Sequence, residues 1–228
     1  MPDPADSPPR PDPPTIRALI TLSFIGGAVD AVAFLALGNV FAAVMTGNLL
    51  ILGFAITTPA LEVVGPLASL AAFVLGAAAF GRFDTGTSDR HTLLRRLVRA
   101  EGIAVAVAAL LLIGYEGADN VQRFAAIAAL AGVMGFRNAT IRRVAIPELR
   151  TTVMTFSIAG FAVDSSEGRG LGSADRLRAA GVVAMVAGAA LSALLLREAA
   201  PSWSLAMVAI AELAAFGMLG RSSRKRVG

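Results

Sequence analysis

The chain has 228 residues, 56% of them hydrophobic and 16% charged, with a mean hydropathy of +0.70 and a formal net charge of +4, far from the usage of a soluble domain. Cysteine is absent and His91 is the only histidine, which excludes disulfides, thiol nucleophiles, Ser-His chemistry and histidine-based metal sites. Nineteen of the 20 basic residues are Arg, scattered between apolar runs rather than gathered on one element, so they argue for orientation in a bilayer and against a nucleic-acid partner.

Residues 1–14 hold seven of the eleven prolines together with Asp3, Asp6, Arg10 and Asp12, which predicts a disordered, extended cytosolic tail. It lacks the basic start and apolar core of a signal peptide. Eight apolar segments follow, at 17–38, 41–57, 66–82, 99–115, 121–141, 151–163, 178–196 and 202–219, and residues 221–228 form a short basic cytosolic tail. A full crossing needs about 20 residues. The second and sixth segments are the short ones, interrupted by Gly and Thr.

Those segments carry a polar motif that is written twice. Gly27-Ala-Val-Asp30-Ala31 is followed by Val44-Met45-Thr46-Gly47-Asn48, and Gly135-Phe-Arg-Asn138-Ala139 by Val153-Met154-Thr155-Phe156-Ser157. Asp30 and Asn138 are 108 residues apart and Thr46 and Thr155 are 109 apart. Val74-Leu-Gly76-Ala77-Ala78 recurs as Val186-Ala-Gly188-Ala189-Ala190, and Glu101 falls opposite Glu212. The spacing predicts two membrane repeats, 15–115 and 116–220. Chance likeness between Ala/Gly/Val-rich helices is the plainer alternative, but it does not account for the recurring polar residues.

Charge distribution selects a topology. If all eight segments cross with the N-terminus inside, the basic residues divide about evenly between the two sides. If the second and sixth dip in and return, seventeen basic residues face the cytosol and only Arg123 and Arg197 lie outside, as the positive-inside bias requires. The expected fold is therefore all-α and polytopic. It has six transmembrane helices plus two short re-entrant or broken segments, both termini inside, and two repeats of opposite orientation.

At Gly27 to Gly38, at Phe41 through Met45-Thr46-Gly47-Asn48-Leu49, and at Asn138-Ala139 with Arg142-Arg143 and Thr151-Thr152, the chain resembles the YoaK-type family of bacterial integral membrane proteins. The likeness covers nearly everything but the proline arm. It departs at Arg137, where an uncharged amide is expected, and at Phe156, where glycine is more usual. The resemblance implies the bacterial plasma (inner) membrane and supplies no activity.

Mechanism must then be read from residues. A carboxylate at Asp30, deep in the first span, costs roughly 2.5–3.5 kcal/mol on insertion scales. It reads either as a coupling-ion or proton site or as a hydrogen-bonded structural acid. Thr46, Gly47 and Asn48 either break a helix, freeing backbone groups for a substrate or ion, or cap a plain spanning helix. If two re-entrant tips met near midplane, Thr46, Asn48, Thr155 and Ser157 would line a neck, with Phe41 and Phe156 as an apolar gate. Arg137 is expected to snorkel to the cytosolic rim. Glu101 is expected to be interfacial, which leaves Glu212 as the buried-acid candidate. The stripe Ala72/Gly76 and Ala184/Gly188/Ser192 suits close helix packing, inside the chain or across a homodimer face. The run Glu167 to Ser173 lacks the strand, spacing and Lys of a phosphate loop and reads as a linker. No catalytic set, cofactor or metal site is read. The expected path residues are thus Asp30, Thr46, Gly47, Asn48, Asn138, Thr155, Ser157 and Glu212. A channel or secondary transporter for a small polar solute or ion, partnered by the lipid bilayer, stands against a non-transporting scaffold, assembly or sensor protein.

Overall fold

The computed structural model describes residues 13–83, 89–117, 120–144 and 173–224. The described residues form seven helices: α1 (Pro13–Ala36), α2 (Met45–Ala55), α3 (Val64–Phe83), α4 (Arg90–Leu111), α5 (Asn120–Val144), α6 (Ser173–Glu198) and α7 (Pro201–Arg224). Five of them, α1, α3, α5, α6 and α7, are long and apolar enough to cross a membrane. The expected segment 151–163, with Thr155, Phe156 and Ser157, lies outside the described residues.

Two elements differ from the sequence reading. The helix expected at 99–115 begins at Arg90, because Asp89 caps it by accepting hydrogen bonds from the backbone N–H groups of His91 and Thr92. Its 22 residues give a rod of about 33 Å, long enough to cross, but the amino-terminal half carries Arg95, Arg96 and Arg99, with Glu101 just beyond it. The second helix, α2, has only 11 residues, or about 16 Å, half the thickness of a hydrocarbon core.

Helix pairing follows the small residues. α1 packs along α6 and α5 packs along α3; α7 also packs on α1, α4 on α5, and α4 and α7 pack on each other. At the α1–α6 crossing a Cβ on Gly27 would overlap the Met185 carbonyl, and one on Gly188 would overlap the Phe24 carbonyl. At the α3–α5 crossing the same holds for Gly76 against Gly132 and for Gly135 against Phe73. Glycine is required at all four because backbone touches backbone there, the geometry that substitutes for the hydrophobic effect between helices in lipid. Gly27 is therefore committed to close contact with the α6 backbone. Gly76 and Gly188 of the small-residue stripe are likewise used within the chain.

The centre of the bundle is α1 and α5, with Leu22, Ile25, Val29, Ile127, Leu130 and Met134 buried. α3 and α6 flank it and turn Val74, Leu75, Val183, Val186 and Leu194 outward, as helices facing lipid chains would. Ser192 donates to the Ala28 carbonyl at 3.0 Å and also meets Ser204, which ties α6 and α7 to the middle of α1.

After α1 the chain reverses. Gly38 (φ 97°) and Asn39 (φ 57°) both sit in the left-handed region, where glycine and asparagine are tolerated and branched residues are not. The following residues run back along α1 until Ala42 and Ala43 lie beside Asp30, about 9 Å below the helix end. α2 then climbs out again: Glu62, in the α2–α3 connection, pairs with Arg123 of α5, and both approach Gly38.

Candidate functional site

Two polar constellations lie inside the bundle. The first is built on the doubled-back stretch of residues 39–44. Asp30, 6% exposed, accepts through Oδ1 from the backbone N–H of Ala42 (2.8 Å) and of Ala43 (2.7 Å). Asn48, fully buried in the first turn of α2, accepts from the Phe41 N–H at 2.8 Å and donates to the Phe41 carbonyl at 2.7 Å. Ser69 of α3 donates to that same carbonyl at 2.6 Å and lies 3.2 Å from the Asn48 amide nitrogen. Asn48 thus serves as a partner strand for one residue, satisfying both backbone groups of Phe41 where no sheet exists. The Asp30 carboxylate faces the amino-terminal approach of α2, whose cap position, Val44, offers no side-chain acceptor. A negative charge there is favoured by the helix dipole. The Phe41 ring closes the loop over Gly47, where a Cβ would collide with it, and stacks against Phe34 at a centroid distance of 5.0 Å.

Thr46 does not join this group; it is exposed on the far side of α2. Asn138 is half-buried on α5, and Thr155 and Ser157 lie outside the described residues. Among the expected path residues the structure therefore brings together Asp30, Gly47 and Asn48.

The second constellation was largely missed from sequence. Arg137 is 6% exposed and does not snorkel: its Nη1 donates to Glu101 Oε1 at 2.8 Å, and its Nη2 donates to the Leu22 carbonyl. Glu101 is 0% exposed and is not interfacial. Glu212, 2% exposed, stands across the α4–α7 crossing, its Cβ next to Gly102, and its carboxyl interacts with the Glu101 carboxyl and the Arg137 guanidinium. Among the described residues no hydrogen-bond donor reaches Glu101 Oε2 or either oxygen of Glu212. The cause of the misreading is geometric. Because α4 starts at Arg90, Glu101 falls at its middle, whereas a span starting at 99 puts it at the rim. The useful signal was the register that sets Glu101 opposite Glu212.

Beyond the trio, Arg95 and Arg99 lie over the Phe216 ring at 4.9 and 5.1 Å, one turn along α7 from Glu212. Their charges are engaged with an aromatic face rather than with the acids. Among the described residues no group of three or more His, Cys, Asp or Glu side chains converges as a metal site would require.

Residues 18–218 match the family described as "Protein of unknown function (DUF1275)". The chain belongs to this family. The YoaK-type resemblance is consistent with that membership. No curated protein and no solved structure matches the chain.

Proposed function

We propose that this DUF1275 protein is a small channel or secondary transporter for a small polar solute or ion in the bacterial inner membrane, with both termini in the cytosol. The observation that carries the reading is the doubled-back, non-helical stretch of residues 39–44. Non-helical backbone at the depth of Asp30 is tolerated in a bilayer only when it is buried in protein or lines a cavity, and broken segments of this kind are where transporters bind their cargo. α4 supplies the sixth crossing beside the five apolar helices, and α2 is a re-entrant arm. Two repeats of opposite orientation account for the exchange of partners, in which α1 takes α6, and α5 takes α3, each through a glycine on either side. On this reading the protein performs no covalent chemistry, and its cargo is recognised by backbone groups and buried polar side chains.

The experiment is reconstitution into liposomes with a panel of ions, amines, sugars and organic acids, comparing the wild type with Asp30→Asn. Asparagine keeps an oxygen for the Ala42 and Ala43 N–H groups, so the loop should stay in place while flux changes in rate or pH dependence. A non-transporting scaffold is favoured by one specific observation: Asp30 Oδ1 and the Asn48 amide are already occupied by the chain's own backbone. No flux for any member of the panel, with folded protein in the bilayer, would favour the scaffold.

A further inference from the structure

The doubled-back loop leaves unused the most expensive feature of the molecule, the trio of Glu101, Glu212 and Arg137. Three helices far apart in sequence deliver two carboxyl groups and one guanidinium to a place that solvent does not reach. Arg137 cannot move out to meet water, because the Leu22 carbonyl and Glu101 Oε1 hold both ends of its guanidinium. With both acids ionised the trio carries one net negative charge, and three of the four carboxylate oxygens find no donor among the described residues. A buried group in that condition is corrected either by a cation or by a proton.

We infer that Glu101 and Glu212 share one exchangeable proton, and that this pair, balanced by Arg137, is a proton-binding site. Two adjacent carboxyls flanking one counter-charge titrate as a unit. With the proton bound the trio is neutral and the orphaned oxygens gain a donor. On release to water the pair keeps one uncompensated negative charge, which attracts a proton back from whichever side the site then faces. A bare metal cation is the poorer occupant. Its hard ligands would be carboxylate oxygens alone, with a guanidinium fixed at 2.8 Å from one of them.

The neighbourhood is otherwise quiet. α1 presents the Leu22 carbonyl and Gly26, with Asp30 one turn further on. α3 between Val64 and Gly81, and α6 between Ala179 and Leu196, contain no ionisable residue. On α4, Arg95 and Arg99 are engaged with Phe216 of α7, and Arg96 has an interaction of its own. As the coupling site for solute movement the pair rests on the transport reading; as a proton site it does not.

Infrared spectroscopy of the full chain in lipid bilayers separates the two. The wild type at neutral pH should show the carbonyl stretch of a protonated, buried carboxyl that shifts in D2O and shrinks as pH is raised. Glu212→Gln or Glu101→Gln leaves one acid against one guanidinium, so that band should vanish, while Asp30→Asn should keep it. Arg137→Gln removes the counter-charge and should raise the band about twofold, since both acids then need a proton. Should Arg137→Gln fail to fold, Arg137→Gln combined with Glu101→Gln leaves Glu212 alone and should show a band of wild-type size. No such band, a band that survives Glu101→Gln combined with Glu212→Gln, or one that neither exchanges nor titrates would overturn the proposal. A band removed at fixed pH by exchanging KCl for NaCl would do so too, in favour of a metal ion. A band that behaves as expected in protein that moves no solute would leave the proton site standing and remove the transport reading.

Discussion

Asp30 and Glu101 are both carboxylates buried well inside long helices, yet the chain compensates them in opposite ways. Asp30 is held by neutral backbone N–H groups only twelve and thirteen residues further along, in a loop shaped by Gly38 and Asn39. Glu101 is held by a charge 36 residues away that is itself anchored to a third helix. The first arrangement is local and needs only an acceptor oxygen at Asp30. The second is long-range and works only as a complete set, because removing one charge strands another. The first therefore sets the shape of the loop, and the second couples α1, α4, α5 and α7.

The largest expected effect follows from breaking the second arrangement on one side. Arg137→Leu leaves two acids without a counter-charge and should cost about 3–5 kcal/mol, read as lost folded protein in detergent and a lowered unfolding midpoint. Adding Glu101→Leu to it should restore part of that loss. Equal destabilisation by the single and double variants would mean that the pair matters by packing and not by charge.

Next come the helix crossings. Gly27→Val and Gly135→Val each drive a side chain into a carbonyl of the facing helix and should each cost about 1–3 kcal/mol. If the α1–α6 and α5–α3 pairs are equivalent, the two losses should be similar; a loss confined to one would argue against two matched repeats.

In the loop, Asn48→Ala strands the Phe41 N–H and leaves its carbonyl to Ser69 alone, and should cost about 1–3 kcal/mol, while Asp30→Asn should be markedly milder because its oxygen remains. Thermal unfolding of the two variants side by side checks the order, and an Asp30→Asn loss as large as that of Asn48→Ala would show that the negative charge itself holds the loop.

The smallest effect belongs to the α4 cap. Asp89→Ala should cost about 1 kcal/mol. The Thr92 hydroxyl, with smaller help from the N–H groups of Thr92 and His91, holds the Asp89 carboxyl below its usual value of 3.8. A group lowered on folding stabilises fully above its unfolded value and loses that contribution as pH falls through the folded one. The cap should therefore be intact at neutral pH and weaken only below about pH 4. A wild-type minus Asp89→Ala difference that is constant down to pH 2 would contradict it.

How much of this was legible depends on the range of the interaction. The apolar lengths, the shortness of the Thr-Gly-Asn segment and the glycines of the repeated motif are written in consecutive residues, and the helices follow them. That Gly27 would touch Met185, or that Thr46 would point away while Asn48 turned in, depends on how helices rotate against each other, which no local pattern states. Arg137 was misread for the same reason. A lone Arg one turn from a span end snorkels when water is the nearest relief, but here Glu101 arrives on another helix and is nearer. The start of α4 was missed because an N-cap aspartate can extend a helix through a charged stretch that hydropathy assigns to a loop.

The central claim is that the chain enters the membrane after α1 and leaves by the side it entered. The absence of cysteine gives a clean background for Thr58→Cys and Arg96→Cys, each labelled in intact cells with a membrane-impermeant maleimide. The account predicts that Thr58→Cys is labelled from outside and that Arg96→Cys is labelled only after the cells are opened. The reverse pattern, with the N-terminus inside, would mean that the segment containing α2 crosses completely, and the re-entrant loop would be lost with it.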